Sequence, residues 1–231
     1  MAANSSAAEK PSFRWLDLAR YVVASVVTVL IVAVICNAIK VILRPETMYV
    51  SVPGGSVPAT AISSDSPPSS ATPTPAPRVA FAINLRTQNP SGRAVMYYVN
   101  GTVYLFDKNT TESTSTPEDD SFVYFRIHDV ALLQGKAVDS ILHVSARRAA
   151  MTPYYFDLLH GNNGSQIAGV TLRLDGVLIT EAVSGSNRTG RPTTYYCREL
   201  LVGGDPDDEA FKGRPDVTCS SVQDVQQQQK P

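Results

Sequence analysis

Little in this chain looks like catalytic equipment. Its 231 residues include three histidines, three cysteines and one tryptophan. No G-x-S-x-G elbow, glycine-rich phosphate loop or H-E-x-x-H pair occurs. His128, His143 and His160 lie too far apart in sequence for a zinc pattern, whose ligands come in close pairs. Ser140 and Ser145 flank His143 without the positioned third group that a nucleophile needs. Charge of one sign is also missing. Twenty basic and 21 acidic residues leave a formal charge of −1. A nucleic-acid binder needs a basic patch or stripe, so nucleic acid is not an expected partner. No cofactor, metal site or enzyme activity is expected.

What the chain does have is one long apolar run. Residues 21–39, YVVASVVTVLIVAVICNAI, contain no charge. At ~1.5 Å per helical residue the run is roughly 28 Å long, close to a bilayer's ~30 Å hydrocarbon core. Arg14 and Arg20 precede it, and Lys40 and Arg44 follow. Basic side chains of this kind snorkel to headgroups, which lets Val41, Ile42 and Leu43 extend the span. Trp15 and Tyr21 fall at interfacial depth. We therefore expect a span over 21–43, after a cytosolic tail at 1–20. The run is longer and deeper in the chain than a cleaved signal, so an uncleaved signal-anchor is expected. Ala24/Thr28 and Ala33/Asn37 are pairs through which two such helices could form a homo-oligomer.

Orientation rests on three features. Lys10, Arg14 and Arg20 outweigh Lys40 and Arg44, which favours a cytosolic N-terminus. Asn100, Asn109, Asn163 and Asn187 each head an N-x-[ST] sequon, and all lie beyond the span. Cys197 and Cys219 are the only cysteines outside it, a candidate disulfide in an oxidising compartment.

After the span, 44–77 is rich in Pro, Ser and Thr, with Pro53, Pro58, Pro67, Pro68, Pro73, Pro75 and Pro77. It is expected to be an unfolded, semi-rigid stalk. From residue 78 the apolar period becomes two. Val79, Phe81, Ile83 and Leu85 share one face of a strand, and further β-rich runs cover 95–106, 122–127, 137–144, 167–174 and 193–201. Asp175-Gly176 is expected to make a tight turn before Val177-Leu178-Ile179. Helical periodicity is confined to one short turn at Pro153–Leu159. The fold class is all-β, an antiparallel sandwich of the fibronectin-III or immunoglobulin kind over 78–202. Residues 203–231 are expected to be an acidic loop and a disordered tail.

Asn89-Pro90 ends the first strand, since proline cannot donate to a ladder and asparagine bonds nearby backbone in turns. Asn89-Pro90-Ser91-Gly92-Arg93, followed by Tyr97-Tyr98 and Tyr104, resembles the NPN-x-R…YY…Y signature of the plant group-two late-embryogenesis-abundant domain. The whole layout is similar to the harpin-induced-like membrane proteins of plants. Leu133-Gln134-Gly135 and Tyr195-Tyr196-Cys197 match later features of that pattern. Ser91 departs from its asparagine, Phe122-Val123-Tyr124-Phe125 replaces its PFYQ-like segment, and a long stalk is unusual there. The resemblance implies a non-enzymatic membrane protein in stress or defence at the plasma membrane, its sandwich facing outward toward a protein or cell-wall partner. One alternative is a small lumenal transferase holding a metal with Asp205 and Asp207, which form an Asp-x-Asp. Against it stands the lack of alternating strands and helices that a nucleotide-binding α/β domain needs.

Overall fold

A computed structural model describes residues 13–43, 47–62, 76–110, 114–161, 165–182, 188–204, 211 and 213–221. The chain divides into two units, 1–45 and 46–231.

The described residues of the first unit form one helix, α1 (Phe13–Leu43). Its stretch Leu18–Ala38 is long and apolar enough to cross a membrane, and none of it is buried in protein. Two hydroxyls inside this stretch bond back to the helix itself. Ser25 donates to the Val22 carbonyl and Thr28 to the Ala24 carbonyl, each at 2.8 Å. Polar groups satisfied within the helix are what hydrocarbon tolerates.

The second unit is all-β apart from short helices. In chain order its elements are β1 (Tyr49–Val52), β2 (Ser56–Val57), β3 (Ala59–Ile62), β4 (Arg78–Gln88), β5 (Ala94–Phe106), α2 (Pro117–Asp120), β6 (Val123–Arg126), β7 (Val130–Leu132), β8 (Ala137–Arg147), α3 (Pro153–Gly161), β9 (Gln166–Ala182), β10 (Arg188–Gly203), β11 (Val217–Thr218) and β12 (Ser220–Ser221). One sheet runs β11-β1-β4-β3, with β8 on the other edge of β4. The second runs β12-β10-β9-β5-β6, with β7 also on β5 and β2 also on β10. The pairing is antiparallel except for β2 with β10. The alternation read in β4 points Val79, Phe81, Ile83 and Leu85 into the core, where Met96, Tyr98, Leu172 and Leu174 of the facing sheet are also buried.

Three expectations are corrected. The expected stalk begins with folded protein. Met48, Val50, Val52, Val57 and Ala59 are buried; Met48 directly precedes β1, and the others lie in β1, β2 and β3. Proline density misled because Pro53-Gly54-Gly55 is a sharp crossing between sheets. Gly54 and Gly55 have φ of 65° and 51°, and an added Cβ on Gly55 would stand 3.0 Å from the Pro215 carbonyl. Residues 44–46 and 63–75 of that stretch lie outside the described residues.

The expected C-terminal tail also contributes to the sandwich. Its β11 pairs with β1 in one sheet, and its β12 pairs with β10 in the other. Between them the Cys219 N–H donates to the Val50 carbonyl at 2.9 Å.

Finally, Asp175-Gly176 is no turn. β9 runs straight through it, pairing Gly176 with Thr193. Glycine is needed because a Cβ there would come within 2.6 Å of the Tyr98 ring. The short turn read at Pro153–Leu159 is the helix α3, anchored by buried Phe156 and Leu159.

Candidate functional site

The motif residues Asn89 to Tyr104 join the two sheets. Asn89 is fully buried. Its Nδ2 donates to the carbonyls of Ala94 at 2.9 Å and Leu132 at 3.1 Å, and its Oδ1 accepts from the Ser91 N–H at 2.8 Å. Pro90 carries the chain outward where no ladder donor is wanted. Ser91, standing where the resembled signature has asparagine, accepts from the backbone N–H groups of Arg93 and Ala94, both at 3.0 Å. The Ser91 carbonyl in turn accepts from Gly135, within Leu133-Gln134-Gly135. This constellation is a structural turn, and it pins the connection from β7 to β8.

The tyrosines also pack. Tyr98 is buried, and its hydroxyl donates toward the carbonyls of Leu174 at 3.2 Å and Thr193 at 3.1 Å. Burial in apolar surroundings, then the neighbouring Tyr195 and Asp175, raise its pKa well above the usual phenol range. Tyr97 sits under the Arg188 guanidinium at 5.8 Å.

Tyr104 belongs to a row across the outer face of the second sheet. The register places Tyr124, Tyr104, Arg173 and Tyr196 side by side on β6, β5, β9 and β10. Arg173 lies 6.0 Å from the Tyr104 ring and 5.9 Å from that of Tyr196, and Arg198 lies 5.5 Å from Tyr196. Arg173 also pairs with Asp175 at 2.8 Å and donates to the Thr114 carbonyl at 2.9 Å. The row therefore glues four strands and the segment before α2. None of its members was legible as a set, because their spacing appears only once the strands are in register.

Among the described residues, two recesses on the sandwich combine apolar walls with polar groups. The larger, about 300 Å³, lies between the sheets where β8 faces the bend Ile127–Val130. Leu85, Tyr98, Ile127, Leu142 and Leu174 make its apolar walls, and His128, Asp129 and Ser140 bring polar groups. Asp129 is committed in part, since its Oδ1 accepts from the Asn100 N–H at 3.0 Å. A mostly apolar cleft with a few polar groups is the usual form of a binding site.

The second recess, about 290 Å³, lies between the turn after β5 and α3. There the Tyr155 and Thr110 hydroxyls both donate to the Asp107 carboxylate. Burial opposes ionisation of Asp107, but these hydrogen bonds and the N–H groups of Asn109 and Thr110 outweigh it and hold its pKa below 3.8. Burial, then the bond to that carboxylate, pushes Tyr155 up to about 12.

The remaining sequence candidates are scattered. Asn109 is exposed at the rim of the second recess. Asn100 is exposed at an irregularity in β5, with φ of 55°. Asn163 and Asn187 lie outside the described residues, as do Asp205 and Asp207 of the Asp-x-Asp. Cys197 and Cys219 form a disulfide, joining β10 to the crossing between β11 and β12. His128 lines the first cleft, His143 is exposed on β8, and His160 stacks on Phe156 at 5.2 Å within α3. They are not brought together. Among the described residues no group of three His, Cys, Asp or Glu side chains is placed to hold a metal.

No family model matches the chain, and no curated protein matches it. Among solved structures, the ApaA protein from Bordetella pertussis aligns over 71% of this chain and 98% of its own, at 12% identity and a TM-score of 0.31. That likeness is too low to transfer a fold or an activity.

Proposed function

We propose that the chain is a non-enzymatic, single-pass membrane protein that displays its β-sandwich as a binding module outside the cytosol. The observation that carries this reading is a fully exposed apolar helix, Leu18–Ala38, in the same chain as a sandwich stapled by Cys197–Cys219. An apolar helix without protein cover needs lipid. A disulfide persists where glutathione does not reduce it, which favours the extracytosolic side. The sequon asparagines Asn100 and Asn109 are exposed, which agrees with that side.

The resemblance of Asn89 to Tyr104 to the late-embryogenesis-abundant signature supports a role in plant stress or defence at the plasma membrane, with a protein or cell-wall partner. The same residues serve the turn and the core, so the resemblance speaks for the scaffold; a partner is read from the surface.

Expression of the full chain in a secretory cell, followed by endoglycosidase, tests the topology. We expect a mass drop that is lost when Asn100, Asn109, Asn163 and Asn187 are all changed to Gln. An unshifted band, together with Cys197 and Cys219 open to alkylation in intact cells, would overturn the reading.

A further inference from the structure

The first sheet ends at β8, and that edge is unguarded. Native sheets protect a free edge with lysine, proline, a bulge or a very short strand. β8 has no lysine, proline or bulge and is 11 residues long, and its only formal charges are Asp139 and Arg147. It pairs with β4 residue for residue from Ala137 to Arg147, and no strand lies on its other side among the described residues. On its outer face Ile141 is 61% exposed. Its inner face borders the apolar cleft through Ser140 and Leu142.

Charge along the edge is uneven. Asp139 is held by Arg86 at 2.7 Å near one end. At the other end Arg147 sits directly opposite Arg78, and neither has an acidic partner among the described residues. Like charges opposed across a ladder repel.

We propose that β8 pairs antiparallel with β8 of a second copy of this chain, about a two-fold axis through His143, so that the two first sheets become one. This register sets Arg147 of each copy opposite Asp139 of the other, which relieves the Arg78–Arg147 repulsion at both ends. Sliding by two residues in either direction loses both ion pairs, and sliding by one turns the inner face outward. Leu142 then meets Val144 of the second copy on the inner side, and the added strand roofs the apolar cleft. A two-fold contact of this kind is closed, so it stops at a dimer. Edge pairing alone buries little area, and confinement of two copies to one membrane supplies the effective concentration it needs.

The test uses the full chain in membranes, with Cys36→Ser to remove the helix thiol. His143→Cys places a thiol on the axis, and mild oxidation is expected to give a covalent dimer. Ala80→Cys, on the outer face of β4, lies at least three strand spacings (~14 Å) from the same position in the second copy and is expected to stay monomeric. As an independent readout, Ile141→Cys mixed with Ser145→Cys is expected to cross-link as a heterodimer. Arg147→Asp is expected to cut the His143→Cys dimer roughly tenfold, and adding Asp139→Arg is expected to restore it. Absence of dimer at His143→Cys, an equal yield at Ala80→Cys, or indifference to Arg147→Asp overturns the proposal. So does a product in which His143→Cys joins only to a different protein, which would assign the edge to another partner.

Discussion

The sandwich has one closed side and one open side. On the closed side the chain passes between the sheets three times. β1, β2 and β3 weave from the first sheet to the second and back, and β11 to β12 crosses beside them under the disulfide. Its residues Met48, Val50, Val52 and Val57 are buried. On the open side β8 and the bend Ile127–Val130 face each other across a cleft, with no strand between them among the described residues. Both sides are made of the same backbone chemistry. The difference lies in whether a second segment covers the edge, and it teaches where stability and recognition divide.

The largest expected effect is on the closed side. Met48→Ala removes a buried side chain from what the sequence presents as a stalk, and should cost about 2–5 kcal/mol in denaturant unfolding. A loss near zero would return that segment to the stalk. Replacing Cys197 and Cys219 with Ala should cost about 3 kcal/mol, read as a lower denaturant midpoint, because the crossing strand is then free to leave in the unfolded ensemble.

Asn89→Ala, between the two sides, strands the Ala94 and Leu132 carbonyls and the Ser91 N–H. Roughly 2 kcal/mol should be lost, with faster amide exchange at Gly135 and Lys136, whose loop Asn89 and Ser91 hold. Unchanged exchange there would show that the turn and the loop are independent.

Acid provides a smaller effect. Asp107 binds its proton more weakly folded than unfolded, so as pH falls the unfolded chain takes up protons first. Its contribution is complete above the ordinary carboxyl value of 3.8 and declines as pH drops below it. Tyr155→Phe removes one hydrogen bond to that carboxylate and should flatten the decline in a pH series of melting curves. An unchanged slope would detach Tyr155 from it.

The smallest effect belongs to the open side. Ile141→Ala should shift unfolding of the isolated protomer by under about 0.5 kcal/mol, because the side chain is already in water. A loss comparable to that of Met48→Ala would mean that β8 is covered, and the contrast between the sides would disappear.

Local patterns were legible wherever one stretch of chain carries its own signal. The alternation in 79–85 became β4, and the apolar run became α1. Two readable signals were overridden. Val170, Leu172, Leu174 and Leu178 keep one period straight through Gly176, but the Asp-Gly pair looked like a turn. Met48, Val50 and Val52 alternate as β4 does, but the prolines after them drew the whole stretch into a stalk. In the candidate site, the cysteine pair and the Asn89 turn were visible in sequence. The cleft and the Tyr124–Tyr104–Arg173–Tyr196 row were not, because their members come from separate strands.

Residue chemistry read along the chain is enough to show that one helix is too apolar for water, that the remainder is mostly β, and that Asn89-Pro90 ends a strand. Each follows from residue chemistry within a few positions. Tertiary structure alone decided which side of the sandwich is closed, since that depends on two distant segments, 47–62 and 214–221, meeting across β1 and β10. Pairing between such segments is set by register and burial summed over the whole domain, and no short window contains that sum.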